Sequence, residues 1–261
     1  MVIKADHYYK KNLNRILQEG TWDKNPRPKW KDGTPAHSLF VTGVFEEYDI
    51  SKGEFPITTL RKCSWKTALS EIAWIYLQGS NKLLDAEFLG INWWKDFDIG
   101  DGTIGQRYGA TVERYDLFNK LVSGIQEDPF SRRHVMDLYQ YGDLEETDGL
   151  HPCAYNTMWS VRQIDDIKYL DLTLTQRSND YITAGYINKI QYVGLLLYVC
   201  SVTGTKPGKF FHLVQNLHIY DRHLPLANEI LEKESLPKQP ALVLDDPEKF
   251  TFNMVDIEGI T

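Results

Sequence analysis

The sequence predicts a protein of mixed α/β or α+β class, for two reasons. Apolar residues recur at helical spacing over residues 65–79 and 190–204, whereas apolar and polar side chains alternate, as in strands, over 170–176 and 210–220. Predicted helices and strands do not alternate strictly, which disfavours a doubly wound parallel sheet. No internal repeat or Ser/Gly linker is present, so residues 1–261 are expected to form a single domain.

The composition is that of an average globular protein and excludes several classes. With 29 Lys and Arg against 36 Asp and Glu, the formal net charge is −7, so any phosphate site must be local. Hydrophobic residues make up 42% and charged residues 25%, which argues against a disordered, collagen-like or membrane protein. The polar N-terminus lacks the apolar run of a signal peptide, so a cytoplasmic location is expected.

The first half of the chain predicts two helices and a strand. An amphipathic helix is predicted over 3–20, where it ends at a glycine, and residues 39–48 have strand composition. Residues 22–37, between them, are rich in Pro, Lys and Gly and are expected to form a loop. The apolar side chains of 65–79 share one helical face, and Gly79 is a plausible stop.

The second half predicts two further helices and most of the strands. The glycines of 99–109 indicate a long loop, which precedes a helix over 117–127 that ends near Pro129. A buried helix is predicted over 190–204, because its apolar residues share a face. Strand composition marks residues 135–139, 156–161, 170–176 and 210–220.

Two of these strands carry polar side chains on an otherwise apolar background. Asn216, His218 and Tyr220 share one face of the last strand, and the leucine face of 170–176 continues toward Gln176. Polar groups of this kind need partners if they are buried. A ligand can supply those partners, and an exposed sheet face is an equally weighted alternative.

The three cysteines suggest one candidate nucleophile. Cys63, Cys153 and Cys200 are widely spaced and include no CxxC pair, so neither a disulfide framework nor a metal site is expected. Cys63 and Cys200 are expected to be structural, as isolated cysteines usually are. Cys153 follows Pro152 at a strand entrance, where a thiol can be exposed and a nearby cation would lower its pKa.

Compact arginine groups are the second candidate for chemistry. Arg132 and Arg133 are adjacent, and Arg177 lies within the run QRSND at 176–180. Guanidinium groups form paired hydrogen bonds with phosphate oxygens. On spacing alone, however, such groups are more often ordinary solvated charge.

An ordered set of motifs changes this interpretation. The set is FPITT (55–59), EIAWIYLQGSN (71–81), IGQRYG (104–109), DPFSRR (128–133), HPC (151–153), QRSND (176–180) and LHIY (217–220). Together, and over nearly the whole chain, these motifs resemble the thymidylate synthase family, which includes the pyrimidine nucleotide hydroxymethylases. Lys29, Trp30 and residues 32–37 look most like the Bacillus-type branch. The resemblance implies a mixed β-sheet flanked by helices, with one sheet face packed in a homodimer.

The resemblance also implies an activity and its catalytic residues. A one-carbon unit would pass from 5,10-methylenetetrahydrofolate to C5 of dUMP, giving dTMP. Cys153 matches the nucleophile that adds to C6 of the pyrimidine and thereby makes C5 nucleophilic. Glu71 matches an acid/base residue near O4 and the folate, and Tyr108 matches a tyrosine involved in proton loss from C5. Trp94 and Asp180 match residues beside the folate.

Further matches would bind the nucleotide. Arg27, Arg177 and Ser178 match phosphate ligands of the same subunit, whereas Arg132 and Arg133 match a pair donated across the homodimer interface. Arg177 would also lower the pKa of the nucleophile. The other substrate-binding matches are Gln176, Asn188 for the pyrimidine edge, and His218 with Tyr220 for the ribose 3′-hydroxyl. The structural alternatives are a core role for Trp94, a surface carboxylate at Glu71 and a helix N-cap at Asn188.

Departures from the family pattern keep two alternatives open. They are Phe97, residues 111–113, Ala154, Ala184 and Asn216. The sequence also stops at Thr261, where synthases usually continue into a tail that covers the folate. Without such a lid, water would capture the C5 methylene group, so a dUMP or dCMP hydroxymethylase is one alternative. The substitutions also allow a non-catalytic, nucleotide-binding paralogue.

Overall fold

A computed structural model describes residues 3–257 of the chain. Seven of its strands form a mixed sheet in the order β1-β2-β7-β5-β4-β3, with β6 beside β7. These strands are β1 (Thr21–Trp22), β2 (Ser38–Asp49), β3 (Val135–Asp137), β4 (Ala154–Ile164), β5 (Ile167–Gln176), β6 (Asn179–Asp180) and β7 (Lys206–Tyr220). β5 and β6 run parallel to β7, and the remaining neighbours are antiparallel. The predicted mixed sheet is therefore confirmed.

Helices and a separate hairpin surround this sheet. The helices are α1 (Lys4–Glu19), α2 (Trp65–Ile72), α3 (Leu83–Phe88), α4 (Gly109–Tyr115), α5 (Leu117–Glu127), α6 (Tyr141–Glu146), α7 (Gly185–Thr203) and α8 (Leu224–Glu232). The hairpin consists of β8 (Gln239–Asp246) and β9 (Thr251–Ile257), which pair antiparallel. α7 packs against α2, α5, β5 and β7 and forms the centre of the larger core.

The two faces of the sheet differ in exposure. On β5, Leu170, Leu172 and Leu174 are each 0% exposed and lie in the same core cluster as α7, as the alternating pattern predicted. The opposite face carries apolar side chains that nothing in this chain covers among the described residues, such as Phe45 and Leu213, which are 53% and 39% exposed. A sheet normally buries one face against another element, so this face is available to a partner.

Several element boundaries differ from the sequence prediction. The long core helix begins at Gly185, before the predicted 190, and its first residue is a glycine because a Cβ there would lie 2.5 Å from the ring of Tyr181. The predicted helix over 65–79 changes after Ile72 into a π-helical turn, Ala73–Leu77. The strand predicted over 135–139 ends at Asp137. α8 and the β8–β9 hairpin were not predicted.

Candidate active site

Cys153 immediately precedes β4 and lies on the wall of a cavity of about 370 Å³. Its backbone N–H donates to Tyr108 Oη at 3.1 Å, and Nη2 of Arg177 lies 3.5 Å from its sulfur. The side chain is half-buried, and the thiol is therefore accessible to a ligand in the cavity. Cys63 and Cys200 do not line this cavity, and burial raises the pKa of each thiol to about 12.

The protonation state of Cys153 depends on two opposing effects. Burial raises the pKa of the thiol, whereas the guanidinium groups of Arg177 and Arg27 lower it. The contribution predicted for Arg177 therefore has the expected sign, but burial outweighs it in the free protein. A thiolate must consequently form as the cavity fills or by proton transfer to a neighbouring base.

Arg177 is held rigidly beside the thiol. Its Nε donates to the carbonyl of Pro152 at 2.9 Å, and its Nη2 donates to the carbonyl of His151 at 2.7 Å. Its backbone N–H also donates to the carbonyl of Cys153 at 2.9 Å, which ties the end of β5 to the start of β4. The sheet thus fixes both the sulfur and the positive charge next to it.

Tyr108 occupies a strained backbone position. Its φ of 48° and ψ of −107° are unusual for a residue with a side chain, and strain of this kind is concentrated at functional sites. Gly109 follows it, and a Cβ there would lie 2.0 Å from the carbonyl oxygen of Ser80. Burial raises the pKa of the Tyr108 phenol well above its usual value. The phenol is therefore a neutral proton carrier beside the sulfur.

Glu71 is a buried carboxyl on the same cavity, at the point where α2 gives way to the π-helical turn. It is 7% exposed, so the alternative of a surface carboxylate is wrong. Burial raises its pKa to about 7, although Trp93 opposes this by donating from Nε1 at 2.6 Å. A carboxyl that titrates near neutrality can both give and take a proton during a reaction.

Amide side chains line the far end of this cavity. Asn188 lies inside α7, so the alternative of a helix N-cap is wrong. Its Oδ1 accepts from Gln176 Nε2 at 3.2 Å and from Asn179 Nδ2 at 3.3 Å, and its Nδ2 donates to Gln191 Oε1 at 2.8 Å. An amide presents a donor and an acceptor together, as the edge of a pyrimidine requires.

A second cavity, of about 390 Å³, holds most of the predicted phosphate and ribose ligands. It is lined by Arg27, Arg177, Ser178, His218 and Tyr220, among others. His218 Nδ1 lies 3.0 Å from Asn216 Oδ1, and burial lowers the pKa of His218. Arg177 connects the two cavities, since it lines this one and contacts the sulfur that lines the other.

Trp94 and Asp180, the two residues predicted to lie beside the folate, have different surroundings. Trp94 is 5% exposed and contacts both Tyr108 and Phe97 edge-on at 5.0 and 5.5 Å, so it is at once a core residue and a wall of the cavity. Asp180 accepts from the backbone N–H groups of Ile182 and Thr183 at 3.1 and 3.2 Å, which stabilises the turn before α7. Thr183 lines the cavity, but Asp180 does not.

Arg132 and Arg133 are not brought to these cavities within one chain. Both are exposed and precede β3, whose Val135 pairs with Met158 of β4. Met158 is five positions beyond Cys153 along β4, which corresponds to about 17 Å of extended strand. Neither arginine lines either of the two cavities of its own chain.

Two cavity residues were missed by the sequence analysis. Gln191 follows Asn188 by about one helical turn and is 2% exposed, and Trp93 binds the carboxyl of Glu71. The spacing Asn-x-x-Gln on one helix face is the signal that indicates the first. Among residues 3–257, no group of three or more His, Cys, Asp or Glu is arranged to hold a metal ion. In the same range, no helix is both long and apolar enough to cross a membrane.

Comparison with known proteins gives a consistent result. The sequence model of the family described as thymidylate synthase matches residues 7–261. A thymidylate synthase of Streptococcus pneumoniae is 49% identical over 252 residues, which cover 95% of this chain and 90% of the relative. One from Streptococcus gordonii is 48% identical over 251 residues, with the same coverage of 95% and 90%. The solved structure of thermostable thymidylate synthase A from Bacillus subtilis superimposes with a TM-score of 0.87 at 30% identity, covering 96% of this chain and 94% of that one.

Proposed function

This chain belongs to the thymidylate synthase family, and we propose that it methylates C5 of dUMP with 5,10-methylenetetrahydrofolate to give dTMP. The observation that carries the proposal is the position of Cys153. Its sulfur faces the cavity that also holds Glu71 and Asn188, while Arg177 beside it belongs to the phosphate-binding surface. A nucleophile, a proton carrier and a base-reading amide thus line one cavity, and Arg177 connects it to the adjoining phosphate-binding cavity.

The chemistry follows from this arrangement. The Cys153 thiolate adds to C6, and the electron pair of the C5=C6 bond moves toward O4 and gives C5 carbanion character. C5 then forms a bond to the methylene carbon of the folate as one of the two carbon–nitrogen bonds of that carbon breaks. Loss of the C5 proton and cleavage of the remaining carbon–nitrogen bond release tetrahydrofolate and leave an exocyclic methylene group, with the sulfur still on C6. A hydride from tetrahydrofolate then adds to the methylene carbon, the C5=C6 bond re-forms and the C6–S bond breaks, which gives the methyl group, dihydrofolate and the free thiolate.

The residues around the sulfur divide the proton transfers between them. Glu71, whose pKa is raised to about 7 by burial, stands where it can exchange a proton with O4. Tyr108 Oη, within 3.1 Å of the Cys153 nitrogen, is placed to relay the proton that leaves C5. The rings of Trp93, Trp94 and Phe97 form a wall that fits the flat ring system of a folate.

The substitutions relative to the family pattern leave this machinery intact. Phe97 keeps an aromatic ring against Trp94, Asn216 orients His218, and Ala154 lines the cavity directly after the nucleophile. The Cys153–Arg177 contact argues against a non-catalytic paralogue. The relatives are thymidylate synthases, so methyl transfer is favoured over a hydroxymethyl product.

We also propose a homodimer built on the exposed sheet face. Phe45, Met158 and Leu213 are 53%, 45% and 39% exposed there, a pattern typical of an interaction surface. Two-fold pairing would let the Arg132 and Arg133 of one subunit reach the phosphate site of the other, which neither lines in its own chain. The single-domain organisation and the cytoplasmic location stay predictions.

Product analysis tests the proposed function. The enzyme is incubated with dUMP tritiated at C5 and methylenetetrahydrofolate, and tritium release, dihydrofolate and dTMP are measured together. Equal amounts of all three are expected. Tritium release with a hydroxymethyl product and tetrahydrofolate would contradict methyl transfer, and no release at all would contradict catalysis. Cys153→Ser should bind dUMP but form no covalent adduct with 5-fluoro-dUMP.

A further inference from the structure

The amide of Asn188 is clamped from both sides. On its oxygen side, Gln176 and Asn179 each donate a hydrogen bond; on its nitrogen side, Oε1 of Gln191 accepts one at 2.8 Å. The clamp is itself anchored, because His212 Nε2 lies 2.5 Å from Gln176 Oε1. Every partner is buried, so water cannot readily replace a lost bond.

Gln191 lines the same cavity as Asn188 and Glu71. Its oxygen accepts from the Asn188 amide, so its amino group is the part of the side chain that can donate to Glu71. Gln191 lowers the pKa of the Glu71 carboxyl, as a donor does. A reversed Gln191 amide would turn its amino group toward the amino group of Asn188, so two donors would face each other.

We propose that Gln191 is a positioning residue that holds the Asn188 amide in the orientation that reads uracil and couples that orientation to Glu71. The inference rests on the proposed function. Uracil offers an acceptor at O4 and a donor at N3, whereas cytosine offers the reverse pair. A flipped Asn188 would read cytosine, but its oxygen would then face the oxygen of Gln191 and its amino group would face two donors. Gln191 therefore makes the binding of cytosine less favourable than the binding of uracil.

Glu71 is the group on this cavity wall that titrates near neutrality. The titratable groups around it are Tyr108, Tyr192 and Cys153, and burial raises the pKa of all three. The guanidinium of Arg177 is the charged group beside the sulfur. A change in the pH profile near 7 therefore reports on Glu71 and on the residues that contact it.

Two substitutions at one position separate the two contacts. Gln191→Met keeps the shape but removes both polar groups, so Asn188 loses the acceptor on its nitrogen side while Gln176 and Asn179 still donate to its oxygen. We expect the ratio of the dissociation constants for dCMP and dUMP, measured by titration calorimetry, to fall about ten-fold, the equivalent of one buried hydrogen bond. Gln191→Glu keeps an acceptor for Asn188, so the ratio should stay within two-fold of the wild type. Its added carboxyl should raise the apparent pKa near 7 in the kcat/KM profile by about one unit.

Each outcome decides the inference. The positioning role would be overturned if the ratio of the dissociation constants for dCMP and dUMP were unchanged in Gln191→Met. It would also be overturned if that ratio fell by the same factor in Gln191→Glu. An unshifted pH profile in Gln191→Glu would overturn the coupling to Glu71, and this variant gives a decision even if Gln191→Met does not fold. Cys200→Ala, which weakens α7 away from the cavity, is the matched control and should change neither readout. If the wild type itself does not prefer dUMP, the proposed function fails instead.

Discussion

His212 is a buried histidine on β7 whose replacement by glutamine should flatten the acid dependence of folding stability. It is 1% exposed, and its Nε2 donates to Gln176 Oε1, so the neutral ring suits the site. Burial lowers its pKa from 6.5 to about 3; Lys189 acts in the same direction, and Glu46 opposes it. Glutamine retains a donor at the same reach but does not titrate.

The sign and size of the effect follow from linkage. Below pH 6.5 the unfolded chain binds a proton at this position that the folded protein excludes, so the free energy of unfolding decreases as the pH falls toward 3. The limiting slope is about 1.4 kcal/mol per pH unit. Between pH 7 and pH 5, this one group should therefore remove about 2 kcal/mol of stability. The stabilising contribution is fully present above pH 6.5 and is lost on acidification.

The assay compares urea unfolding of the wild type and His212→Gln at pH 7, 6 and 5. Protein concentration is kept constant, because a dimer would make stability depend on it. Other groups titrate alike in both proteins, so the difference between the curves isolates His212. We expect the stability gap to shift by about 2 kcal/mol in favour of the variant over this range. Parallel curves would show that the ring is already free to protonate in the folded state and would refute the reasoning.

Three further predictions test the core and the site. Lys189→Met should destabilise the fold by about 3–5 kcal/mol in urea titrations, because it removes the cation 2.7 Å from the buried carboxylate of Glu46, and adding Glu46→Leu should recover part of that loss; no recovery would show that the hydrogen bonds from Asn12, Tyr48 and Tyr181 to Glu46 outweigh the ion pair. Asn188→Asp should move the base preference toward dCMP, since a protonated carboxyl mirrors the cytosine edge; unchanged preference in binding assays would remove Asn188 as the base reader. Glu71→Gln should lower kcat/KM by about 10²–10⁴ and abolish the inflection near pH 7; a surviving inflection would assign it to another group.

The sequence predicted the sheet class and named many of the residues that line the two cavities, but for different reasons. The leucines of 170–176 are buried, as their alternation with polar residues predicted. This could be predicted because the face that a strand residue occupies depends only on its position along that strand. Cys153 and Arg177, 24 positions apart in the chain, were paired only through the motif resemblance, and they lie within 3.5 Å of each other. The environment of Glu71 could not be predicted, because residues 93–94 come from a separate segment of the chain. The helical spacing of α2 does not indicate which of its faces that segment covers.

What the sequence determined by itself is local: periodic burial, the glycines at tight backbone positions, and residue types able to act as nucleophile, acid and phosphate ligand. Only the tertiary structure decided what each of these side chains touches. Burial raises the pKa of Cys153 and Glu71 and lowers that of His212, and the Asn188 clamp assembles from β5, β6 and α7. Desolvation and hydrogen-bond geometry depend on atoms from distant segments, which is why spacing along one chain could not determine them.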